Sequence, residues 1–339
     1  MPARAPGEFE IIALFTRALP LAGRGVIVGP GDDAAVLRPA PGEDLVATVD
    51  AVVAGVHFDG RATPADVGWK ALAVNLSDLA AMGARPVAAL VALGLPRGTS
   101  AATVRAIARG LGACARAHRT AVVGGNVTRA DALSVTVTVL GAVAEGRAVL
   151  REGARPGDLV AVTGTLGDAA LGLLPRAPAA LARRQRRPSP RLAAGLALAG
   201  VVRAAIDVSD GLVQDLDHLC RASGVGARIG AADLPLSPAY RRLARRLPDP
   251  LAAALGGGED YELVVAVPPA GLAAAQAAAA RARTPLTVIG RFVRGSGVQV
   301  VGERGEPLAA PAGHDHLRPR GGRTSDRSGA RLGSKPRAR

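Results

Sequence analysis

Aromatic side chains are nearly missing from this chain: four Phe, two Tyr and one Trp in 339 residues, 2% of the total. The core must therefore be built from Ala, Val and Leu, with Phe9, Phe15, Phe58, Phe292, Trp69, Tyr240 and Tyr261 as its rare large groups. Lysine is scarcer still, occurring only at Lys70 and Lys335. The two cysteines, Cys114 and Cys220, have no metal-ligand spacing and lie in apolar, helix-like contexts. That argues against a disulfide framework or a thiolate metal site and predicts buried thiols in a reducing compartment. His57, His118, His218, His314 and His316 lack the spacing of zinc ligands. Met1–Glu10 carries no apolar run behind a basic start, and the apolar stretches elsewhere are broken by Gly and charge. Neither a signal peptide nor a membrane span is expected, and the reading is a soluble, cytoplasmic protein. There is no Walker sequence, protein-kinase lysine motif, dinucleotide fingerprint or Ser-His-Asp arrangement.

What is present in excess is arginine. Basic residues outnumber acidic ones by 42 to 28, a net charge of +14. A nucleic-acid partner would be one use of it. Half of that excess, however, sits in residues 318–339, where eight basic residues meet one acid, Asp326, among Gly, Ser and Pro. Such a segment has too little apolar surface to fold and is expected to be a disordered tail. Arg183–Arg187 and Arg241–Arg246 read as solvated surfaces, so a nucleic-acid role is set aside.

Val- and Leu-rich runs alternate with Ala-rich helical segments. Leu45–Val49, Val87–Leu93, Ala121–Val123 and Ser134–Val143 read as strands, and Pro64–Met82 and Ser100–His118 as helices. Thr63 is placed to cap the first helix, Pro64 to start it and Gly83 to end it. After the turn Arg151–Gly157 the mixture repeats. Asp158–Thr163, Ala204–Val208, Tyr261–Val267, Leu286–Ile289 and Val298–Val301 read as strands; Leu166–Leu174, Pro190–Val202, Leu212–Ala222 and Gly271–Ala282 read as helices. Pro175–Pro190 reads as an exposed insertion. Two α/β-type domains are predicted, 1–150 and 151–317, followed by the tail.

In this basic chain the acids gather at strand ends and Gly-rich turns: Gly31-Asp32-Asp33, Thr48-Val49-Asp50, Asp78 on a helix, Gly124-Gly125-Asn126, Asp207-Val208-Ser209-Asp210-Gly211 and Gly258-Glu259-Asp260. Singly, each serves as a turn or a cap. Together they would repel one another unless something positive stood between them. Mg²⁺ shared between carboxylates and substrate phosphates answers that, and Gly-rich backbone lets amide groups approach those phosphates.

VGPGDDAAVL (28–37), TVDAVVAGVHF (48–58), KALAVNLSDLAAMGARP (70–86), VVGGNVTR (122–129), REGARPGD (151–158), VTGTLGDAALG (162–172), AIDVSDGL (205–212) and GGGEDYEL (256–263) resemble, in order and spacing, the thiamine-monophosphate kinase family, over residues 7–317. The wider superfamily is that of aminoimidazole ribonucleotide synthetase. The resemblance implies an N-terminal α/β domain whose sheet pairs with a second subunit to form a barrel, and a C-terminal α+β domain. It implies several Mg²⁺ ions on Asp33, Asp50, Asp78, Asp207 and Asp210, with the Thr48 hydroxyl as a further ligand. It implies ATP contacts at Gly125, Arg151 and Ser209, and thiamine-phosphate contacts at His57 and Glu259. Asp50, Asp78, Arg151 and Asp210 carry the catalytic assignment.

The chain departs from the family pattern at four places. Val49 replaces a Thr ligand, leaving only its backbone to reach a metal. Asn126 replaces an Asp, keeping a carbonyl oxygen but losing a charge. His314 stands where an aromatic ring usually packs on the substrate, and Ala108 where a Tyr often meets ATP. The implied reaction is ATP + thiamine monophosphate → ADP + thiamine diphosphate, carried out by a homodimer. Two other functions compete with this one. A selenophosphate synthetase would need a Cys and a Lys near its N-terminus, and none precedes Cys114 and Lys70. A non-catalytic nucleotide-binding protein would not need the acidic set.

Overall fold

A computed structural model of the chain describes residues 7–30 and 34–309. The first half contains α1 (Glu8–Thr16), β1 (Val26–Val28), β2 (Val36–Leu37), β3 (Glu43–Val53), α2 (Pro64–Ala81), β4 (Arg85–Leu95), α3 (Ala101–Ala117), β5 (Ala121–Arg129) and β6 (Ser134–Ala144). β3, β6, β4 and β5 form a sheet in that order, antiparallel except for the parallel pair β4–β5, and β1 pairs with β2. The Ser/Thr–Val alternation of β6 turns Val135, Val137 and Val139 into the core, as its period of two requires.

The second half contains β7 (Leu159–Thr163), α4 (Asp168–Gly172), α5 (Ala179–Arg186), α6 (Leu192–Leu198), β8 (Ala204–Asp207), α7 (Leu212–Ser223), β9 (Gly226–Gly230), α8 (Pro238–Ala244), α9 (Ala252–Gly256), β10 (Leu263–Val267), α10 (Leu272–Arg281), β11 (Leu286–Val293), β12 (Gly297–Val301) and β13 (Pro307–Leu308). Its strands form one mixed sheet, in the order β13-β12-β9-β11-β7-β10-β8.

α2 is the hub. Thr63 Oγ1 accepts from the Asp66 N–H (3.2 Å) and Asp66 Oδ2 from the Thr63 N–H (3.1 Å), a reciprocal cap with Pro64 in the first turn. Most of the helix is buried, because it packs on the four-stranded sheet, on α3, and on α6 and β8 of the second half. The α2–α3 contact is backbone to backbone. A Cβ on Gly68 would lie 2.0 Å from the Ile107 carbonyl oxygen, and one on Gly110 1.8 Å from that of Ala65. One apolar cluster runs from Leu72, Leu76 and Leu79 through Val137 and Val139 to Leu198, Val265 and Ala278, joining the two halves.

Two readings of the sequence are corrected. Residues 175–190 are no exposed insertion: they contain α5, Leu181 and Gln185 are buried, and Arg184 and Arg187 meet acids. Arg184 donates to Glu262 (2.6 Å), while Arg187 pairs with Asp66 (2.5 Å) and stacks over Trp69. Their partners lie far along the chain, so no local window shows them. The Gly124-Gly125-Asn126 stretch does not end its strand. β5 continues through it to Arg129, with Gly125 opposite Val91, whose carbonyl oxygen would lie 1.9 Å from a Cβ there. The glycine marks a close strand approach rather than a turn.

Candidate active site

β3 and α2 present the first part of the site. Thr48, on the α2-facing side of β3, donates through Oγ1 to Asp78 Oδ2 (2.6 Å). One residue earlier on the helix, Ser77 Oγ donates to Oδ2 of Asp207 (2.7 Å), which closes β8. Two adjacent residues of one buried helix thus tie a strand from each half of the molecule. Burial raises the Asp78 carboxyl above the usual range, partly offset by the Thr48 hydroxyl and the charge of Arg151. Asp207 is raised too, first by burial and then by the charge of Asp78; Arg151 again works in the opposite direction. A pair of carboxylates forced together this way is an electrostatic demand for positive charge.

The turn after β8 is shaped by a residue that the sequence reading passed over. Asp215 Oδ2 accepts the N–H groups of Ser209 (3.0 Å), Asp210 (3.0 Å) and Gly211 (3.1 Å). Burial pushes its carboxyl up to about 7. Ser209 and Asp210 are thereby fixed at the head of α7. The Ser209 carbonyl accepts from the Glu259 N–H (2.8 Å) and that of Val208 from Tyr261 (2.9 Å), so the two acidic turns lie side by side. Glu259 and Tyr261 both hold positive φ, 71° and 50°, a conformation that non-glycine residues adopt only where surroundings enforce it.

At the other end of this ladder stand the two expected substrate contacts. Glu259 Oε1 receives Lys70 Nζ (2.5 Å) and its Oε2 receives Gln185 Nε2 (3.0 Å). The same Lys70 ammonium donates to the His57 carbonyl (2.8 Å). His57 Nδ1 accepts the Val53 N–H (3.2 Å), which leaves the proton of a neutral ring on Nε2. Tyr261 lies between the two ends. Its hydroxyl is held well above the ordinary tyrosine range by burial and then by the charges of Glu259, Asp207, Asp50 and Asp78.

Thr48, Asp78, Asp207 and Arg151 are brought together, and His57 is joined to Glu259. Asp50 lies on the same sheet face as Thr48 and adds to the field at Tyr261. Asp210 stands against Asp215 at the head of α7. By strand alternation and register, Val49 and Asn126 lie on the opposite face of the sheet, where Val49 is 60% exposed. Gly125, paired with Val91, lies on the inner side. Asp33 and His314 are outside the described residues. Among the described residues, no three His, Cys, Asp or Glu groups are gathered closely enough to hold a cation. Lys70, Ser77, Gln185 and Asp215 were missed. Only Lys70 had a signal, its rarity in an arginine-rich chain.

Residues 31–143 match the family of the AIR synthase related protein, N-terminal domain, and residues 155–303 its C-terminal domain. A thiamine-monophosphate kinase of Caulobacter vibrioides is 42% identical over 308 residues, 88% of this chain and 87% of that protein. The crystal structure of thiamine-monophosphate kinase from Stenotrophomonas maltophilia superposes with a TM-score of 0.78 at 42% identity, covering 88% of this chain and 95% of that one. A structure described as AaThiL complexed with AMPPCP and TMP superposes at 0.72 with 32% identity, covering 92% and 99%. With this identity sustained across both halves of the fold, the chain belongs to the thiamine-monophosphate kinase family.

Proposed function

We propose that this enzyme transfers the γ-phosphoryl group of ATP to thiamine monophosphate, giving ADP and thiamine diphosphate. The observation that carries the reading is the ladder between the Ser209 and Glu259 turns, which sets a phosphate-and-cation end beside a substrate end. The relative complexed with AMPPCP and TMP holds an ATP analogue and the acceptor together, as such a transfer requires.

The reacting groups need little acid–base help. A phosphate monoester is already anionic near neutral pH, so its oxygen attacks the γ-phosphorus in line without a strong base. The difficulty is electrostatic, since two anions must meet. Arg151, whose charge reaches both Asp78 and Asp207, is placed to offset that repulsion. Ser209, with its backbone fixed by Asp215, faces ATP together with Gly125. The His57 Nε2–H donates to the phosphate of thiamine monophosphate, and Glu259 and His314 hold its organic part.

Asp78 and Asp207, near enough that the charge of one raises the other, are hard oxygen donors of the kind Mg²⁺ takes, an ion that shares a few carboxylates with substrate phosphates and keeps several waters. Asp33, Thr48, Asp50, Asp78, Asp207 and Asp210 would hold such ions, with the Val49 backbone as a lesser donor; the Asn126 side chain, on the other face of the sheet, is not among them. Bound there, Mg²⁺ supplies charge neutralisation and orientation of the phosphates.

A homodimer is proposed from the outer face of the four-stranded sheet. Leu45, Val49 and Leu90 stand exposed on it, and a largely apolar cavity of about 610 Å³ lies over Leu90, Ala92, Thr136 and Thr138. No helix among the described residues is long and apolar enough to cross a membrane, and a cytoplasmic location is proposed. One coupled assay with purified protein, ATP, Mg²⁺ and thiamine monophosphate tests the activity. ADP release dependent on both thiamine monophosphate and Mg²⁺ is the expected result, and its absence would refute the assignment.

A further inference from the structure

Two lysines stand among 42 basic residues in this sequence, and one of them, Lys70, is 2% exposed in the middle of the molecule. A buried ammonium is costly unless its protons find acceptors. Lys70 finds two, and both belong to the substrate end of the site: the Glu259 carboxylate at 2.5 Å and the His57 carbonyl at 2.8 Å. Glu259 comes from the second half of the chain, 189 residues away, and His57 from the turn after β3. Gln185 completes the group by donating to Glu259 Oε2 at 3.0 Å. Glu259 holds a left-handed backbone at φ 71°, so its side chain is presented from a strained residue that its partners must secure. Elsewhere the chain uses arginine for ion pairs, as at Asp66, Asp168 and Glu262. Here a compact point charge meets one carboxylate and one carbonyl from different directions, a task to which a planar fork is poorly suited.

We propose that Lys70 is the positioning residue of the thiamine-phosphate site, a single buried ammonium that sets the Glu259 carboxylate and the His57 turn in one fixed geometry across the two halves of the molecule. The inference rests on the proposed activity. The role assigned to Lys70 is exercised through Glu259 and the His57 turn, the two groups its ammonium holds. Its removal therefore weakens the acceptor site while the ATP end, anchored separately by Asp215 and Arg151, keeps its geometry.

The test is the KM of each substrate in the coupled assay for wild type and Lys70→Met, with circular dichroism to confirm folding. The expected result is a rise of about tenfold or more in KM for thiamine monophosphate, with KM for ATP within about twofold. Equal rises for both substrates, or no change in either in a folded variant, overturns the proposal. If Lys70→Met does not fold, the double variant Lys70→Met/Glu259→Gln, which leaves no unpaired ion in the core, takes its place. Its KM for thiamine monophosphate must exceed that of Glu259→Gln alone, because the His57 turn has also lost its anchor; equality overturns the proposal. A wild-type chain inactive on thiamine monophosphate refutes the activity itself, whereas an active wild type beside an unchanged Lys70→Met refutes only this role.

Discussion

At the scale of single residues, the site is built against its own stability. Asp207 is buried and Asp78 half-buried, the charge of Asp78 adds to the raised carboxyl of Asp207, and the charge of Arg151 opposes it at both. Replacing Asp78 with Asn relieves that repulsion while keeping an oxygen that can accept from Thr48. Asp78→Asn is expected to leave the ligand-free melting temperature equal to or above wild type, and to lower kcat by about a hundredfold or more. A marked fall in melting temperature together with intact activity would show that Asp78 is structural. His57 is set differently, its ring oriented by the Val53 N–H so that Nε2 carries the donor. A charge-assisted hydrogen bond to phosphate contributes about 1.5–3 kcal/mol, so His57→Ala is expected to raise KM for thiamine monophosphate by about ten- to hundredfold. KM for ATP should barely move, and equal effects on both would return His57 to a packing role.

At the scale of elements, α2 decides most of what is near what. Its N-cap and its length were legible, because Thr63, Pro64 and Gly83 act locally. Its burial on nearly every side was not, since that follows from α6 and β8 arriving more than a hundred residues later. The α2–α3 crossing admits no side chain at Gly68 or Gly110. Gly110→Ala, which would improve helix propensity in isolation, is expected to destabilise the protein by about 1–3 kcal/mol in urea unfolding, because the backbones must separate. A stabilised variant would show that the crossing can give way. α5 teaches the complementary lesson. Its composition, Arg-rich and bounded by prolines, looks like that of a surface loop. Yet Glu262, fully buried, receives Arg184, both donors of a bidentate Arg191, and the Thr163 hydroxyl. A buried carboxylate calls for such partners, but a sequence does not say which arginines supply them.

At the scale of the whole molecule, the four-stranded sheet has two unlike faces. One lies on α2 and carries Thr48 and Asp50; the other leaves Leu45, Val49 and Leu90 exposed. Apolar residues gathered on a sheet face signal a partner, and the proposed partner is a second copy. Leu45→Asp combined with Leu90→Asp is expected to convert a dimer into a monomer in sedimentation velocity; an unchanged sedimentation coefficient would place the interface elsewhere. The proposed substrate end of the site likewise exists only in the whole molecule, where Lys70 of the first half closes on Glu259 of the second.

The sequence by itself determined the alternation of strands and helices, the caps, the acid-bearing turns and the family, because each is written in short runs of neighbouring residues. It placed Asp50, Asp78, Asp207 and Asp210 on a common list by their setting alone. Tertiary structure decided which of them meet. Ser77 and Thr48 bind Asp207 and Asp78 because α2 lies between β3 and β8, and alternation along β3 and β5 turns Val49 and Asn126 to the other face. Gln185 and Asp215 became visible only there, and so did the partners of Lys70, since what defines each is the group that folding brings to it, not the residues beside it in the chain.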